Sequence, residues 1–175
     1  MTQRSPDFIV QAAALGFPKL KYANIERERR WLCGALPDQP VLSAQAITDL
    51  YVTGARLRLR EARPLDGGPV IRRLTKKADL APNRRLITSI YLSEAEFALL
   101  SDLPGIRLRK TRHQLAGGLT IDVFEGPLVG LVTAEQEFDT DEAMAAFPHP
   151  AFAIREVTDD PRYSGGMLAT YGLPR

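Results

Sequence analysis

Glu26 and Glu28 stand two residues apart in the run NIERERRWL, residues 24–32. Read as a strand, the run puts Glu26, Glu28 and Arg30 on one face and Arg27, Arg29 and Trp31 on the other. A half-buried strand ordinarily alternates apolar and polar residues, so charge on both faces asks for a reason. Carboxylates about 7 Å apart repel by roughly 2 kcal/mol at an effective dielectric of ~20. A bound cation would offset that repulsion, and hard ions such as Mg²⁺ and Mn²⁺ take carboxylate oxygens.

Other runs segregate charge in the same way. In LRLR, Leu57 and Leu59 point one way while Arg58 and Arg60 point the other; in IRLRKTR, Lys110 and Arg112 share a face. In TIDVF, Asp122 lies opposite Ile121 and Val123, and in VTAEQEF, Glu135 and Glu137 share a face with Thr133. Carboxylates thus pair on the first and last main strands, and basic residues gather between them. A water-facing sheet more often mixes signs within a strand. With these faces turned inward, a barrel would have an acidic wall for a divalent metal and a basic wall for a polyanion such as a phosphate chain.

The elements that must hold these residues are mostly short strands. Strand signals cover NIERERRWLC, AITDLYVT, ARLRLRE, IRLRKTRHQ, LTIDVFEG and LVGLVTAEQEF. VIRRLTKK and RRLITSIYL read as a hairpin around ADLAPN, and the glycines of PLDGGP and LAGG mark turns. SEAEFALLSDL is a helix, with Ser93 as cap and Glu96 three residues on. DTDEAMAAF is another, capped by Asp139 or Thr140. A short helix near Phe8–Leu15 ends at GFP, and a helical segment is expected in the C-terminal tail. About eight strands with few helices give an α+β fold, an eight-stranded antiparallel closed barrel with flanking helices. Residues 1–23 are an N-terminal extension and residues 24–175 the barrel domain.

The 175 residues, 45% hydrophobic and 25% charged, fit one globular domain with a sizeable core. A net charge of +2 argues against general nucleic-acid binding and leaves room for a local basic pocket. Cys33 is the single cysteine, which excludes an internal disulfide and fits a small buried hydrophobe. His113 and His149 read as surface or packing residues, and Trp31 as an outer-wall anchor beneath a helix. The apolar run FIVQAAALGF is too short to cross a membrane and lacks a signal-peptide pattern, so a cytoplasmic location is expected.

Taken together, Glu26-Arg27-Glu28-Arg29-Arg30, LRLR, LTKK, RKTR, IDVF, EQEF and EVTDDPRYS resemble the CYTH superfamily, the triphosphate tunnel metalloenzymes. The resemblance runs from about residue 24 to about residue 170. It implies an eight-stranded tunnel whose lumen binds a triphosphate and a divalent metal, Mg²⁺ or Mn²⁺. By position, Glu26, Glu28, Asp122, Glu135 and Glu137 match the metal-associated acids. Arg30, Arg58, Arg60, Lys76, Lys110 and Arg112 match the phosphate-binding set, with Lys76 a candidate for orienting the nucleophile beside the catalytic Glu26 and Glu28.

The implied activity is metal-dependent hydrolysis of inorganic triphosphate or a small organic triphosphate. Its alternatives are an adenylate cyclase of the same superfamily and a non-catalytic polyphosphate- or nucleotide-binding module. Cyclase-type members often carry a His-Phe pair before the first strand, where this chain has Leu20 and Lys21. Two departures stand out: Arg30 replaces the usual lysine, and Ile87 and Ser89 stand where many relatives carry acids. The partner is a triphosphate-containing small molecule, with a homodimer expected by analogy.

Overall fold

A computed structural model describes residues 6–174, so residues 1–5 of the expected extension and Arg175 lie outside it. Nine strands form one antiparallel sheet: β1 (Asn24–Cys33), β2 (Ser43–Val52), β3 (Leu57–Pro64), β4 (Ile71–Ala81), β5 (Arg84–Tyr91), β6 (Gly105–Gln114), β7 (Thr120–Phe124), β8 (Val132–Glu137) and β9 (Ala153–Glu156). Their order is β5-β4-β3-β2-β6-β7-β8-β1, and a further pairing of β1 with β5 closes these eight into a barrel. β1 makes the closure by dividing its length: Asn24–Arg27 pair with β5, while Glu28–Cys33 pair with β8. The four-residue β9 lies against Trp31–Cys33, outside the eight-stranded ring, and the sequence reading does not contain it.

The hydrophobic pattern is turned inside out relative to a sheet packed on one core. Apolar residues face outward and are covered by helices, which frees the inward face for charge. On β1, Trp31 is fully buried on the outside, with Leu115, Ile121, Val132 and Ala134 around it and the Phe147 ring centroid 5.7 Å away. Arg29 lies over the Trp31 ring at 5.0 Å and donates to Glu156 on β9 at 2.9 and 2.7 Å. Arg27 donates to Asp141 at 2.8 Å, at the start of helix α3 (Asp141–Ala146). Both arginines are therefore outside, as their parity requires, but they pin α3 and β9 to the wall instead of standing free in water.

The N-terminal extension is part of this outer layer. Helix α1 (Pro6–Ala14) and the turn after it bring Ala12 and Phe17 against Ala23, Ala78 and Leu86, covering β1, β4 and β5. Helix α2 (Glu94–Ser101) has the expected capping box: the Glu96 N–H donates to Ser93 Oγ at 3.3 Å, and the Ser93 N–H to Glu96 Oε2 at 2.7 Å. Thr140, not Asp139, caps α3. The β4–β5 hairpin is tighter than ADLAPN suggests, because β4 continues to Ala81 through an irregularity near Asp79 and the turn is only Pro82-Asn83. At one end of the barrel, inward residues Leu32, Tyr51, Leu108 and Phe124 pack with Val157, Tyr163 and Leu168. Leu168 belongs to helix α4 (Gly165–Tyr171), so the C-terminal segment acts as a stopper. No helix among the described residues is long and apolar enough to cross a membrane.

Candidate active site

Inside the barrel is a cavity of about 340 Å³, large enough for a small ligand such as a phosphate chain. Nine basic side chains line it against five carboxylates. β1 contributes Glu26, Glu28 and Arg30, β3 contributes Arg58 and Arg60, β6 contributes Lys110 and Arg112, and β8 contributes Glu135 and Glu137. Ten of the eleven residues singled out in the sequence therefore belong to one inward-facing assembly, Asp122 lying just beneath its surface.

The eleventh, Lys76, faces outward. Its ammonium donates to the Gly16 carbonyl at 2.7 Å and stands 4.9 Å from the Phe17 ring centroid, holding the extension to the barrel. The reason is strand parity: Arg73, Thr75, Lys77 and Asp79 of β4 line the lumen, so Lys76 must point away. Lys77 takes the interior place and donates to both Glu26 oxygens, at 2.9 and 2.7 Å.

Asp122 also departs from its expected role. It is fully buried beneath the lumen surface, where Lys110 donates to it and Arg112 makes a bidentate contact at 2.7 and 2.6 Å. Burial by itself would push its carboxyl up, but Arg112 and Lys110 outweigh that and hold it below the ordinary carboxylate value. Asp122 is thus a counter-ion that fixes two cations, with no oxygen turned to the cavity. Glu135 is committed similarly, to Arg30 at 2.8 Å and to Arg112 at 2.5 Å. Against its burial, Arg30 and Arg112 keep it well below the usual range.

Asp49 on β2 completes the basic wall and was not among the sequence candidates. It has no exposed surface and accepts a bidentate contact from Arg60 at 2.6 and 2.7 Å, with Arg58 Nε 3.7 Å away. Burial opposes its charge, yet Arg60 and Arg58 hold the carboxyl far below the usual range. Beside it, burial and the Asp49 charge push the Tyr51 hydroxyl up to about 12, so it stays protonated at neutral pH. The SGG turn into α4 is cut to fit this tyrosine, since a Cβ on Gly165 would meet its hydroxyl at 2.0 Å.

Among the described residues, the lining arginines Arg56 and Arg73 make neither a hydrogen bond nor an ion pair. Arg58 has the Asp49 charge 3.7 Å away, but its Nε makes no hydrogen bond. Burial, then the nearby Arg60 and Arg58 charges, push the Arg73 guanidinium below its ordinary value. Such a group is stabilised by an arriving anion.

The acidic end has Glu26, Glu28 and Glu137. Glu28 pairs across the β1–β8 ladder with Glu137, so the two carboxylates approach from neighbouring strands. Glu28 accepts from Arg30 and Arg85, whereas Glu137 makes no ion pair among the described residues. Loss of hydration and the Glu26 charge push the Glu137 carboxyl up, against a pull from Lys77. No three acidic, histidine or cysteine side chains among the described residues form a ready cage for an ion. The donor set still fits Mg²⁺ or Mn²⁺, because such ions take one or two carboxylates and complete their shell with water and substrate oxygens. Ile87 and Ser89 do line the lumen on β5, with Ser89 Oγ 2.8 Å from Thr75 Oγ, so this strand adds no carboxylate to the site.

Glu137→Gln is accordingly expected to raise Tm at pH 7 by on the order of 1–2 °C, while weakening divalent-ion binding. A raised carboxyl contributes stability below its unfolded pKa and loses it as pH rises through the folded value. The Tm difference should therefore vanish below about pH 4, which thermal melts across pH would check.

A closed antiparallel barrel with a densely charged lumen places this chain in the tunnel class of phosphate-binding enzymes, and it belongs to the CYTH superfamily. An inorganic triphosphatase of Nitrosomonas europaea is 32% identical over 153 residues, covering 82% of this chain and 96% of that protein. The crystal structure of an inorganic triphosphatase superposes with a TM-score of 0.54 at 27% identity, covering 82% of this chain and 93% of that one. A Pyrococcus horikoshii OT3 protein shares the fold, with a TM-score of 0.50 at 20% identity over 69% of this chain and 82% of that one. No protein-family model matches the chain.

Proposed function

We propose that the chain is a triphosphatase that hydrolyses a phosphoanhydride bond of inorganic triphosphate in the barrel lumen. The observation that carries the reading is Arg73, which has no counter-ion among the described residues, and Arg58, whose Nε makes no hydrogen bond, beside the counter-ion-fixed Arg60, Lys110 and Arg112. Phosphoryl transfer asks a protein mainly for positioning and charge neutralisation, and this wall offers both without a serine or cysteine nucleophile. The 32% identity to a protein named inorganic triphosphatase supports the same reading.

Arg58 and Arg73 grip the non-reacting phosphates, while Asp49 and Asp122 hold Arg60, Lys110 and Arg112 at fixed positions around the same chain. Glu26, Glu28 and Glu137 would hold Mg²⁺ or Mn²⁺. A divalent cation held there would supply Lewis-acid polarisation and charge neutralisation for phosphoryl transfer. Lys77, whose ammonium is pushed down by burial and then by Arg58, stands at the boundary between the two walls. In this reading Lys77 orients an attacking water, the role for which the family resemblance made Lys76 a candidate.

Purified protein should release phosphate from inorganic triphosphate with Mg²⁺ or Mn²⁺ faster than from ATP or thiamine triphosphate, and not after chelation. Preference for an organic triphosphate would change the substrate, and conversion of ATP to a cyclic nucleotide would replace hydrolysis by cyclisation. Tight triphosphate binding without turnover would make the barrel a binding module.

A further inference from the structure

The three carboxylates of the acidic end face three basic side chains already in place. Lys77 takes both oxygens of Glu26, at 2.9 and 2.7 Å. Arg85, from β5, donates to Glu28, stands 3.9 Å from Glu26 and is steadied by Asp79 at 2.8 Å. Arg30 donates to the same Glu28 oxygen as Arg85. Three positive charges therefore stand among Glu26, Glu28 and Glu137 before any ion arrives, Arg30 shared with Glu135 and Arg85 with Asp79. Adding a divalent cation beside them puts more positive charge into a confined space already lined by nine basic side chains against five carboxylates, a costly state unless an anion comes with it.

Lys77 and Arg85 differ from Arg30 in how they are held. Arg30 is also tied to Glu135 at 2.8 Å and to the Tyr163 carbonyl at 3.1 Å, so it has a fixed place. Among the described residues, the Lys77 ammonium hydrogen-bonds to Glu26 alone. Beyond the acidic end, among the described residues, Arg85 is held by Asp79 alone, whose side chain is 80% exposed and therefore a weak partner. Both cations line the cavity that also contains Arg58 and Arg73.

We infer that Lys77 and Arg85 are displaceable counter-cations which keep a divalent ion weakly bound until a polyphosphate is present, so that ion and polyphosphate bind as one unit. The inference rests on the triphosphatase reading and refines it. Charge that would repel the metal in the empty lumen is transferred to the substrate when both arrive. The coupling is reciprocal, since each ligand must raise the affinity of the other by the same factor.

The test is Mn²⁺ binding without any phosphate, read from the electron paramagnetic resonance signal of the free aqua ion. Arg85→Gln and Lys77→Met should each bind Mn²⁺ about tenfold or more tightly than the wild type, a change of roughly 1.4 kcal/mol. Arg85→Lys, which keeps the charge, should stay near the wild-type value. Arg73→Gln, which removes a lumen charge that touches no carboxylate, should also stay there. Unchanged or weaker Mn²⁺ binding in both Arg85→Gln and Lys77→Met overturns the inference, as does equal tightening by Arg73→Gln. If Arg85→Gln does not fold, Lys77→Met decides alone. Triphosphate turnover by the wild type is scored separately. Turnover by the wild type without tightening in the variants defeats only the counter-cation role, whereas tightening in the variants of a wild type that has no turnover defeats only the triphosphatase assignment.

Discussion

Asp49→Asn is expected to destabilise the protein by about 3–5 kcal/mol, the usual cost of removing one partner from a buried ion pair. For a chain of this length, each kcal/mol lowers Tm by roughly 2–4 °C. The substitution preserves shape and removes one charge, leaving Arg60 and Arg58 uncompensated where they are most deeply buried. Its pH dependence follows from the sign of the shift. The Asp49 carboxyl is depressed in the folded state, so its stabilisation is complete above the unfolded pKa and disappears as pH falls through the folded one. Urea unfolding should show the full difference between wild type and variant at pH 7 and a smaller one at pH 3. A difference below about 1 kcal/mol at pH 7, the scale of an exposed salt bridge, would rule out the counter-ion role.

That residue also marks where the sequence stops being legible. The parity of NIERERRWL places Glu26, Glu28 and Arg30 inside and Trp31 outside, because Trp31 fixes which face is covered by other elements. LRLR and RKTR are equally readable, since apolar and basic residues alternate cleanly in the first and the spacing pairs Lys110 with Arg112 in the second. Arg72-Arg73, Lys76-Lys77 and Arg84-Arg85 are doublets in which one side chain enters the lumen and its neighbour faces out, and charge alone does not choose between them. A signal was present in the apolar neighbours. Ala78 and Leu86 are buried against the N-terminal extension, so residues of the opposite parity, Lys77 and Arg85, must face inward. Asp49 left no comparable signal. It is a lone acid in AITDLYVT, and its importance comes from the β2–β3 register that sets it opposite Arg60. β9 was missed because AIRE is four residues long and mostly exposed, and pairs only with the end of β1.

Arg73→Gln should weaken triphosphate binding while leaving the unliganded fold as stable as before, or more so. Most lumen cations have a carboxylate to hold them in the empty state, but Arg73 has none among the described residues, and its neighbours Arg60 and Arg58 repel it. Removing its charge relieves that repulsion, and glutamine keeps part of the aliphatic stem. In the complex the same change removes a charge-assisted contact worth about 1.5–3 kcal/mol, or roughly 10- to 150-fold in affinity. Arg58→Ala should cause a similar loss, and the double variant less than the product of the two, because both guanidiniums grip one flexible chain. Inorganic monophosphate should lose much less, since a single phosphate can settle on the remaining cations. Calorimetric titration with triphosphate under chelating conditions, paired with thermal melts of the free protein, separates binding from stability. A large drop in Tm of free Arg73→Gln would show that this arginine supports the barrel wall. Unchanged triphosphate affinity in a stable variant would show that the phosphate chain lies elsewhere in the lumen.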